Sequence, residues 1–480
     1  MEIKKQSMGK GRMEAQGRYG KVTDDIVALL TEIVGDKNVL TGDDCYDYSR
    51  DEMTKSKSVF PDIVVKPENT GSVARVLKLA TEKRIPVTPR GGGTGLSGGA
   101  VPIYGGIVLS LEKMSRILEI DRDNFVATVE TGVVLSDFYQ AVEECGLYYP
   151  LYPGETSATI GGNVATNAGG MRAVKYGVTR HFVLGLEAVL PGGETIQTGG
   201  KFVKCSTGYD LTQLLIGSEG TLAVITKIVL RLIAPPGRKE ILFIPFHSLH
   251  DAIRSVPDIL KEGILPVGIE FMERDIINMV EQYTGKEIPM HDYEAFLMII
   301  VEADSEDEIY RIADHIGELC LNNGAVDVFI PGSARARRNL LEAREKFYSV
   351  IGHFGSLDMT DVVVPRSKIA EFIERAKAVA SEYGIPLIGY GHAGDGNVHL
   401  QPMGQEAEEG GERVRELLTE IYKVGVSLGG TISGEHGLGF AKKGYLPIAV
   451  DKNKLELMKR IKRAFDPTNI MNPGKVLDLE

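Results

Sequence analysis

Apolar residues recur along this chain with two periods, and the switches between them mark its elements. Ile26, Leu29, Leu30 and Ile33 stand at helical spacing. Thr23-Asp24-Asp25 before them is a helix start with an acidic first turn, and Gly35 is a stop. Asp62-Ile63-Val64-Val65 and Ile85-Pro86-Val87-Thr88-Pro89 read as short strands, with a helix from Ser72 to Lys83 between them. The alternation runs from residue 59 to about 235 and is interrupted by glycine-rich blocks. Glycine then thins out, and helical patterns alternate with strands such as Ala295-Phe296-Leu297-Met298-Ile299-Ile300-Val301. Pro235-Pro236-Gly237 marks the boundary. After Gly430 glycine-rich loops return, and Asp466 to Lys475 is dense in turn residues. The expected divisions are a polar arm over 1–22, a first domain over 23–235, a second over 236–430, and a terminal segment over 431–480.

A chain of 480 residues has room for two or three domains and a large core. The composition is 43% hydrophobic and 25% charged, which is ordinary globular usage. No apolar run suits a spanning helix or a signal peptide, so no integral membrane contact is expected. A net charge of −12 argues against nonspecific nucleic-acid binding, which needs clustered Lys and Arg. Cys45, Cys145, Cys205 and Cys320 are far apart and form no C-x-x-C pair, which argues against iron–sulfur clusters and Cys-type zinc sites. Few, scattered cysteines fit a cytoplasmic protein. Glycine is the outlier, with 56 residues, about 12% against a usual ~7%.

The first glycine block, Pro89-Arg90-Gly91-Gly92-Gly93-Thr94-Gly95-Leu96-Ser97-Gly98-Gly99, comes directly after a predicted strand. Such a loop lets backbone amides approach an anion, and a pyrophosphate needs several of them, with Arg90 as an added charge. The next stretch, Ala100 to Leu109, has no helical period, so a nicotinamide-type Rossmann site is rejected. A Walker loop is absent too, since the block contains no Gly-Lys-Ser/Thr. The second block runs from Pro153-Gly154 through Ile160-Gly161-Gly162-Asn163-Val164-Ala165-Thr166-Asn167-Ala168-Gly169-Gly170 to Lys175-Tyr176-Gly177. Its small residues suit a flat, large ligand lying against backbone. A third block, Ile216-Gly217-Ser218-Glu219-Gly220-Thr221, leads into a strand ending near Ile225-Thr226.

Three histidines stand inside glycine-rich motifs. His392 and His399 lie in Gly389-Tyr390-Gly391-His392-Ala393-Gly394-Asp395-Gly396-Asn397-Val398-His399-Leu400. If Asp395-Gly396 forms a two-residue hairpin turn, the two histidines are directly opposed, with Cβ atoms roughly 4.5–5.5 Å apart. Two imidazoles at that separation can share a metal ion. Glu435, in Ser433-Gly434-Glu435-His436-Gly437-Leu438-Gly439, can complete a two-His, one-carboxylate set suited to zinc, iron(II) or manganese.

These blocks, in this order, resemble the FAD-linked D-lactate dehydrogenase / glycolate oxidase large subunit / D-2-hydroxyglutarate dehydrogenase family, from about residue 40 to 480. The resemblance implies an α+β fold: a two-part FAD-binding domain of the vanillyl-alcohol oxidase / p-cresol methylhydroxylase type, an α+β cap domain for substrate, and a C-terminal segment returning to the FAD site. It implies that FAD is held by Pro89, Arg90, Gly91, Gly92, Gly93, Thr94, Gly95 and Ser97 around the pyrophosphate. The rest of the cofactor would meet Pro153, Gly154, Thr159, Gly161, Gly162, Asn163, Ala165, Thr166, Asn167, Gly169, Gly170, Tyr176, Gly177, Glu219, Gly220 and Ile225, with Asn472 near the flavin ring. The loop carries Thr94 and no His, and Cys205 lies outside the usual attachment points, so FAD is expected to be noncovalent. His392, His399 and Glu435 would bind a divalent metal (Zn, Fe or Mn) and His436 would be the catalytic base. Arg344 would pair with the substrate carboxylate, and Asn397 would orient the substrate or serve the turn.

The implied reaction is oxidation of a small 2-hydroxy acid, D-lactate foremost, by hydride transfer to flavin N5. Relatives acting on 2-hydroxyglutarate often carry a Lys where Met359-Thr360 precede Asp361, which favours a monocarboxylate here. The electron acceptor is expected to be external, an electron-transfer flavoprotein or an iron–sulfur subunit. A glycolate oxidase flavin subunit, a non-redox alkyl-transfer enzyme such as an alkylglycerone-phosphate synthase, and a noncatalytic electron relay are the competing readings.

Overall fold

A computed structural model describes residues 17–53, 58–290, 292–404 and 410–479. Most of the expected polar arm over 1–22 therefore lies outside the described residues. The chain divides into two units. One comprises the residues up to Ala168, Val178–Pro235 and the segment from Glu435 onward. The other comprises Gly169–Gly177 and Pro236–Gly434.

The first unit opens with the helix Asp24–Val34, whose acidic first turn complements the helix dipole and whose end is released by Gly35 at φ 87°. Four strands come next: β1 (Val39–Leu40), β2 (Ile63–Val65), β3 (Val87–Arg90) and β4 (Ile107–Ser110). Their order is β1-β2-β4-β3, with β2, β4 and β3 parallel. β2 and β4 are wholly buried runs, as a parallel sheet requires. The helix Thr70–Lys83 joins β2 to β3, and Asn69 caps it by accepting from the Ser72 amide at 2.9 Å. Its buried face, Val73, Val76, Leu77 and Ala80, packs with Ile26, Leu30, Ile63, Val87, Ile107 and Met471 in one apolar core.

A second sheet in this unit is antiparallel: β5 (Ile117–Asp121), β6 (Val126–Glu130), β7 (Val183–Val189), β8 (Thr195–Gly199) and β9 (Val224–Arg231), in the order β5-β6-β9-β7-β8. The final segment returns to the first sheet. The Val87 amide donates to the Ile470 carbonyl at 2.8 Å, and the Asn472 amide to the Val87 carbonyl at 2.7 Å, so 470–472 runs alongside β3.

The second unit is built on one antiparallel sheet: β10 (Arg238–Phe246), β11 (Gly268–Glu273), β12 (Ala295–Ala303), β13 (Val362–Val363), β14 (Leu387–His392) and β15 (Asn397–Pro402). Its order is β10-β12-β11-β14-β15-β13. The helices Leu249–Lys261 and Glu306–Asn322 bury their apolar stripes, and the caps Ser248 and Ser305 accept from the amides of Asp251 and Glu308. Their partners include the sheet residues of β10 and β12, which are almost wholly buried.

The hairpin β14–β15 departs from the expected register. His392 pairs with Asn397, and His399 with Tyr390. The turn is not Asp395-Gly396 alone. The chain turns through Ala393–Gly396, with the Gly396 amide donating to the His392 carbonyl at 3.0 Å and Gly396 at φ 92°. Asp395 instead accepts from the Asn397 amide at 3.2 Å. The offset is two residues, an even number, so His392 and His399 stay on the same face of the sheet. Their rings lie at 88° to each other with centroids 5.5 Å apart.

Candidate active site

In the first unit, β3 delivers the loop that begins at Gly91. Arg90, read from sequence as a phosphate contact, braces this loop from beneath. Its Nη1 donates to the Arg50 carbonyl at 2.7 Å and its Nη2 to the Asp47 carbonyl at 3.0 Å, and the guanidinium lies over the Tyr48 ring. A Cβ at Gly93 (φ +74°) would collide with that guanidinium, and one at Gly91 with Thr159 Oγ1. Only glycine permits this packing. Among the described residues, no backbone amide from Gly91 to Ser97 donates to a main-chain carbonyl. A row of such amides on glycine backbone is the donor set that a pyrophosphate takes up.

The second block forms the helix Ile160–Thr166, capped by Thr159, whose Oγ1 accepts from the Gly162 amide at 3.2 Å. Gly161 packs so closely on Thr131 that a Cβ there would collide. Asn163 and Ile160 are buried, Ala165 and Thr166 are part-buried, and Asn167 ends the helix in a left-handed conformation at φ 54°. Gly154, at φ 85°, has open space around it. Gly169, Gly170, Tyr176 and Gly177 belong to the second unit, where Tyr176 shares Glu302 of β12 with Lys175.

Glu219 gathers the third block and the end of the chain. It adopts φ 52°, and its carboxylate accepts from the amides of Leu438 and Gly439, both at 2.8 Å. Burial raises its pKa against those two bonds. Gly220 packs on Pro89, and Ile225 lies buried in β9. Ser97 Oγ meets the carbonyls of His436 and Gly437, both at 3.0 Å, which ties the His436 loop to the first glycine loop. Asn472, at φ 41°, donates from Nδ2 to the carbonyls of Gly99 (2.9 Å) and Glu219 (2.8 Å). Lys475 Nζ donates to the Val101 carbonyl at 2.6 Å and to Asn472 Oδ1 at 3.2 Å, and burial pushes its ammonium down to about 7. Glycine cradle, amides turned away from the ladder and the crossing Asn472 fit FAD.

In the second unit, Glu270 of β11 is paired in register with His392 of β14 and is fully buried. Its Oε1 lies 2.7 Å from His392 Nδ1, and its Oε2 lies 2.9 Å from the same nitrogen. Arg344, on the helix Ala334–Glu345, donates from Nε to Glu270 Oε2 at 2.8 Å, and its Nη2 pairs with the same oxygen. The guanidinium is flanked by the rings of Phe347 and Tyr390, each 5.1 Å away. Burial alone would raise the Glu270 carboxyl, but His392 and Arg344 outweigh it and hold the group below its ordinary value.

Asp361, just before β13, is the second buried carboxylate. Its Oδ1 accepts from Asn397 Nδ2 at 2.9 Å and lies 4.0 Å from His399 Nδ1. Its Oδ2 accepts from Ser433 Oγ at 2.8 Å and from the Gly434 amide at 3.0 Å. Glu435 comes one peptide bond after Gly434, and within the first unit His436 Nε2 stands 3.8 Å from Glu435 Oε1. Asn397 Oδ1 is buried without a hydrogen-bond partner among the described residues. His399 and Asp361 belong to a set of donors close enough together to share a divalent metal, and His392 does not. Glu270 and Asp361 were not singled out from sequence. Their signal was an acid inside an apolar strand, Gly268-Ile269-Glu270-Phe271-Met272, and one ahead of Val362-Val363-Val364.

Fold and loops together define a flavin-binding oxidoreductase. Residues 61–199 match the model of the FAD binding domain, and residues 235–476 that of the FAD linked oxidases, C-terminal domain. The chain belongs to the FAD-linked oxidase family. It is similar to a D-lactate dehydrogenase from Anaerostipes hadrus, at 40% identity over 96% of this chain and 98% of that one. It is also similar to the glycolate oxidase subunit GlcD of Bacillus subtilis, at 38% identity over 95% and 97% of the two chains. A p-cresol methylhydroxylase crystal structure with substrate bound shares the fold with a TM-score of 0.77 at 19% identity, over 94% of this chain and 96% of that one. Among the described residues, no helix is long and apolar enough to cross a membrane.

Proposed function

We propose that this protein is an FAD- and divalent-metal-dependent D-2-hydroxyacid dehydrogenase that converts D-lactate to pyruvate. The observation that carries this reading is a buried group of imidazoles and acids on one sheet face, His392 bonded through Glu270 to Arg344, and His399 beside Asp361. The names of the relatives from Anaerostipes hadrus and Bacillus subtilis support the substrate class.

Bound FAD supplies a hydride acceptor at flavin N5. His392, His399 and Glu435 would hold a divalent metal, which would supply a Lewis acid to lower the pKa of an alcohol. The chain's own groups do the rest. His436 takes the hydroxyl proton, since an imidazole with an ordinary pKa near ~6.5 is a competent base at neutral pH. Arg344 offers the substrate carboxylate the edge of its guanidinium not engaged by Glu270. Asn397 Oδ1 is a buried acceptor able to orient a substrate hydroxyl. Acceptance of that proton at His436 is the chain's own share of the oxidation of the alcohol to a keto acid.

Met359 supports a monocarboxylate. Its sulfur contacts Gln401 Nε2 at 3.6 Å and Tyr390 Oη at 3.9 Å, so a buried thioether occupies the stretch where relatives acting on 2-hydroxyglutarate often carry a Lys. The separation of the four cysteines supports an external acceptor, an electron-transfer flavoprotein or an iron–sulfur subunit.

The test is anaerobic titration of the holoprotein with D-lactate, L-lactate and glycolate, alongside metal analysis. D-lactate should bleach the flavin band near ~450 nm. Bleaching by glycolate in preference to D-lactate would establish the glycolate reading. No bleaching by any of the three acids would overturn the proposal.

A further inference from the structure

We propose that the helix Lys452–Phe465 is the docking surface for the electron acceptor, and that this acceptor is a redox protein with an acidic face. The inference rests on the reading that electrons leave to an external protein, and it names where that protein sits.

The whole chain is acidic, with 54 Lys and Arg against 66 Asp and Glu. This helix runs the other way: six of its 14 residues are Lys or Arg, and Glu456 is its one acid. Leu455, Met458, Ile461 and Phe465 are part-buried and form its inner side. Leu457 faces out, 49% exposed, with Lys454 and Arg460 three residues to either side. Lys452, Lys454 and Arg460 are exposed and form no ion pair among the described residues. An exposed leucine flanked by unpaired cations suits a partner that brings carboxylates. A helix lying on an anionic membrane needs a whole face of bulky apolar residues to bury, and the outer side here offers Leu457 alone.

The helix is fastened to the cofactor cradle through its buried lysine. Lys462 Nζ donates to the carbonyls of Thr221 at 2.7 Å and Met471 at 2.8 Å, and pairs with Asp466 Oδ2 at 2.6 Å. Asp466 in turn accepts from the amides of Ile470 at 3.1 Å and Met471 at 2.8 Å. The next residue, Asn472, holds the carbonyls of Gly99 and Glu219. A carrier seated on the outer side is thus docked on the element that ties the third glycine block to the last segment.

The experiment uses full-length holoprotein whose flavin is reduced anaerobically with dithionite, so it needs no hydroxy acid. The probes are cytochrome b5, a haem protein with an acidic face, and cytochrome c, one with a basic face. Each FADH2 gives up two electrons and two protons; two ferric haems become ferrous, and the protons go to solvent. The variant is Lys454→Glu with Arg460→Glu, and a control places the same charge change at Lys37 and Lys113, exposed residues on other elements. At low salt, wild type and control should reduce cytochrome b5 at least about 10-fold faster than the variant, and added salt should shrink the gap. Cytochrome c should show the reverse order. Benzoquinone, small and neutral, should be reduced equally by all three proteins. A cytochrome b5 rate unchanged in the variant, or lowered equally in the control, would overturn the docking assignment and leave the external acceptor standing. Slowing of benzoquinone in step with cytochrome b5 would overturn it too, by showing an effect on the flavin itself. If wild type passes electrons to dioxygen and to neither haem protein, the acceptor reading fails and the proposal falls with it. Binding to phosphatidylglycerol vesicles that the variant loses, with its cytochrome b5 rate unchanged, would make the helix a membrane contact instead.

Discussion

Asn472 donates from its side-chain amide to the main-chain carbonyl of Glu219, 253 positions away in sequence, at 2.8 Å. The same nitrogen reaches the Gly99 carbonyl at 2.9 Å. One side chain thus joins the first glycine loop, the third block and the end of the chain. Asn472→Leu leaves two carbonyls unsatisfied, at about 1–3 kcal/mol each. Flavin retention should fall sharply while the second unit stays folded. Flavin absorbance after desalting checks the first, and near-UV circular dichroism tracks the fold.

Gly91 admits no Cβ, because Thr159 Oγ1 occupies that space. Gly91→Val should push the loop off Thr159 and yield soluble protein without flavin. Flavin-to-protein ratio is the measurement, and a ratio equal to wild type would remove the glycine loop from the cofactor site.

The His436 carbonyl accepts from Ser97 Oγ, so the loop is anchored through its backbone and outlasts loss of the ring. His436→Ala should therefore keep flavin bound and slow its anaerobic reduction by D-lactate about 10²–10⁴-fold. Stopped-flow absorbance reads the rate. An unchanged rate would exclude His436 as the base.

His399→Gln keeps a polar side chain on the face of β15 but removes the imidazole. Bound metal and turnover should be lost together, with flavin content unchanged. Chelation of the wild-type protein should reproduce the loss, and re-addition of the ion should restore wild type only.

Lys475 ties a pH dependence to the fold. Burial lowers its ammonium to about 7, with Asp51 and Glu219 pulling the other way. The unfolded chain keeps this proton up to about pH 10.4. Between these values the unfolded state binds more protons, so the lysine's contribution to stability rises with pH from about 7 to 10. Asp51 and Glu219, both raised by burial, act in the opposite sense and remain in a Lys475→Met variant. Wild type minus variant, measured as urea midpoints, should increase from pH 7 to pH 9.5. A difference independent of pH would show that Lys475 does not titrate there.

Much of this architecture was legible because local signals and tertiary demands agreed. Thr23-Asp24-Asp25 and Gly35 bracket a helix that the structure places at Asp24–Val34, and the apolar run from Ala295 continues to Ala303 as one strand. The glycine blocks were legible as a cradle because so many positions without a Cβ need a reason. Contacts made across the sheet were not legible. Glu270 looked like one acid among many until β11 and β14 were paired. The hairpin register failed because Asp-Gly is a local signal, whereas Gly394 packs on Val174 and Arg366 Nε bonds the Gly394 carbonyl, contacts that a longer turn accommodates. Nor was it legible that the carbonyls of Arg50 and Asp47, some forty positions away, accept from the Arg90 guanidinium.

The crossing of 470–472 beside β3 has a consequence for biosynthesis. Asn472 and Gly99, which hold the cradle together, are 373 positions apart. A ribosome adding about 5–20 residues per second needs roughly 20 to 75 seconds to make that stretch. For that interval the nascent glycine loop has no clasp. Any flavin binding that depends on this clasp must wait until the whole intervening unit has been translated.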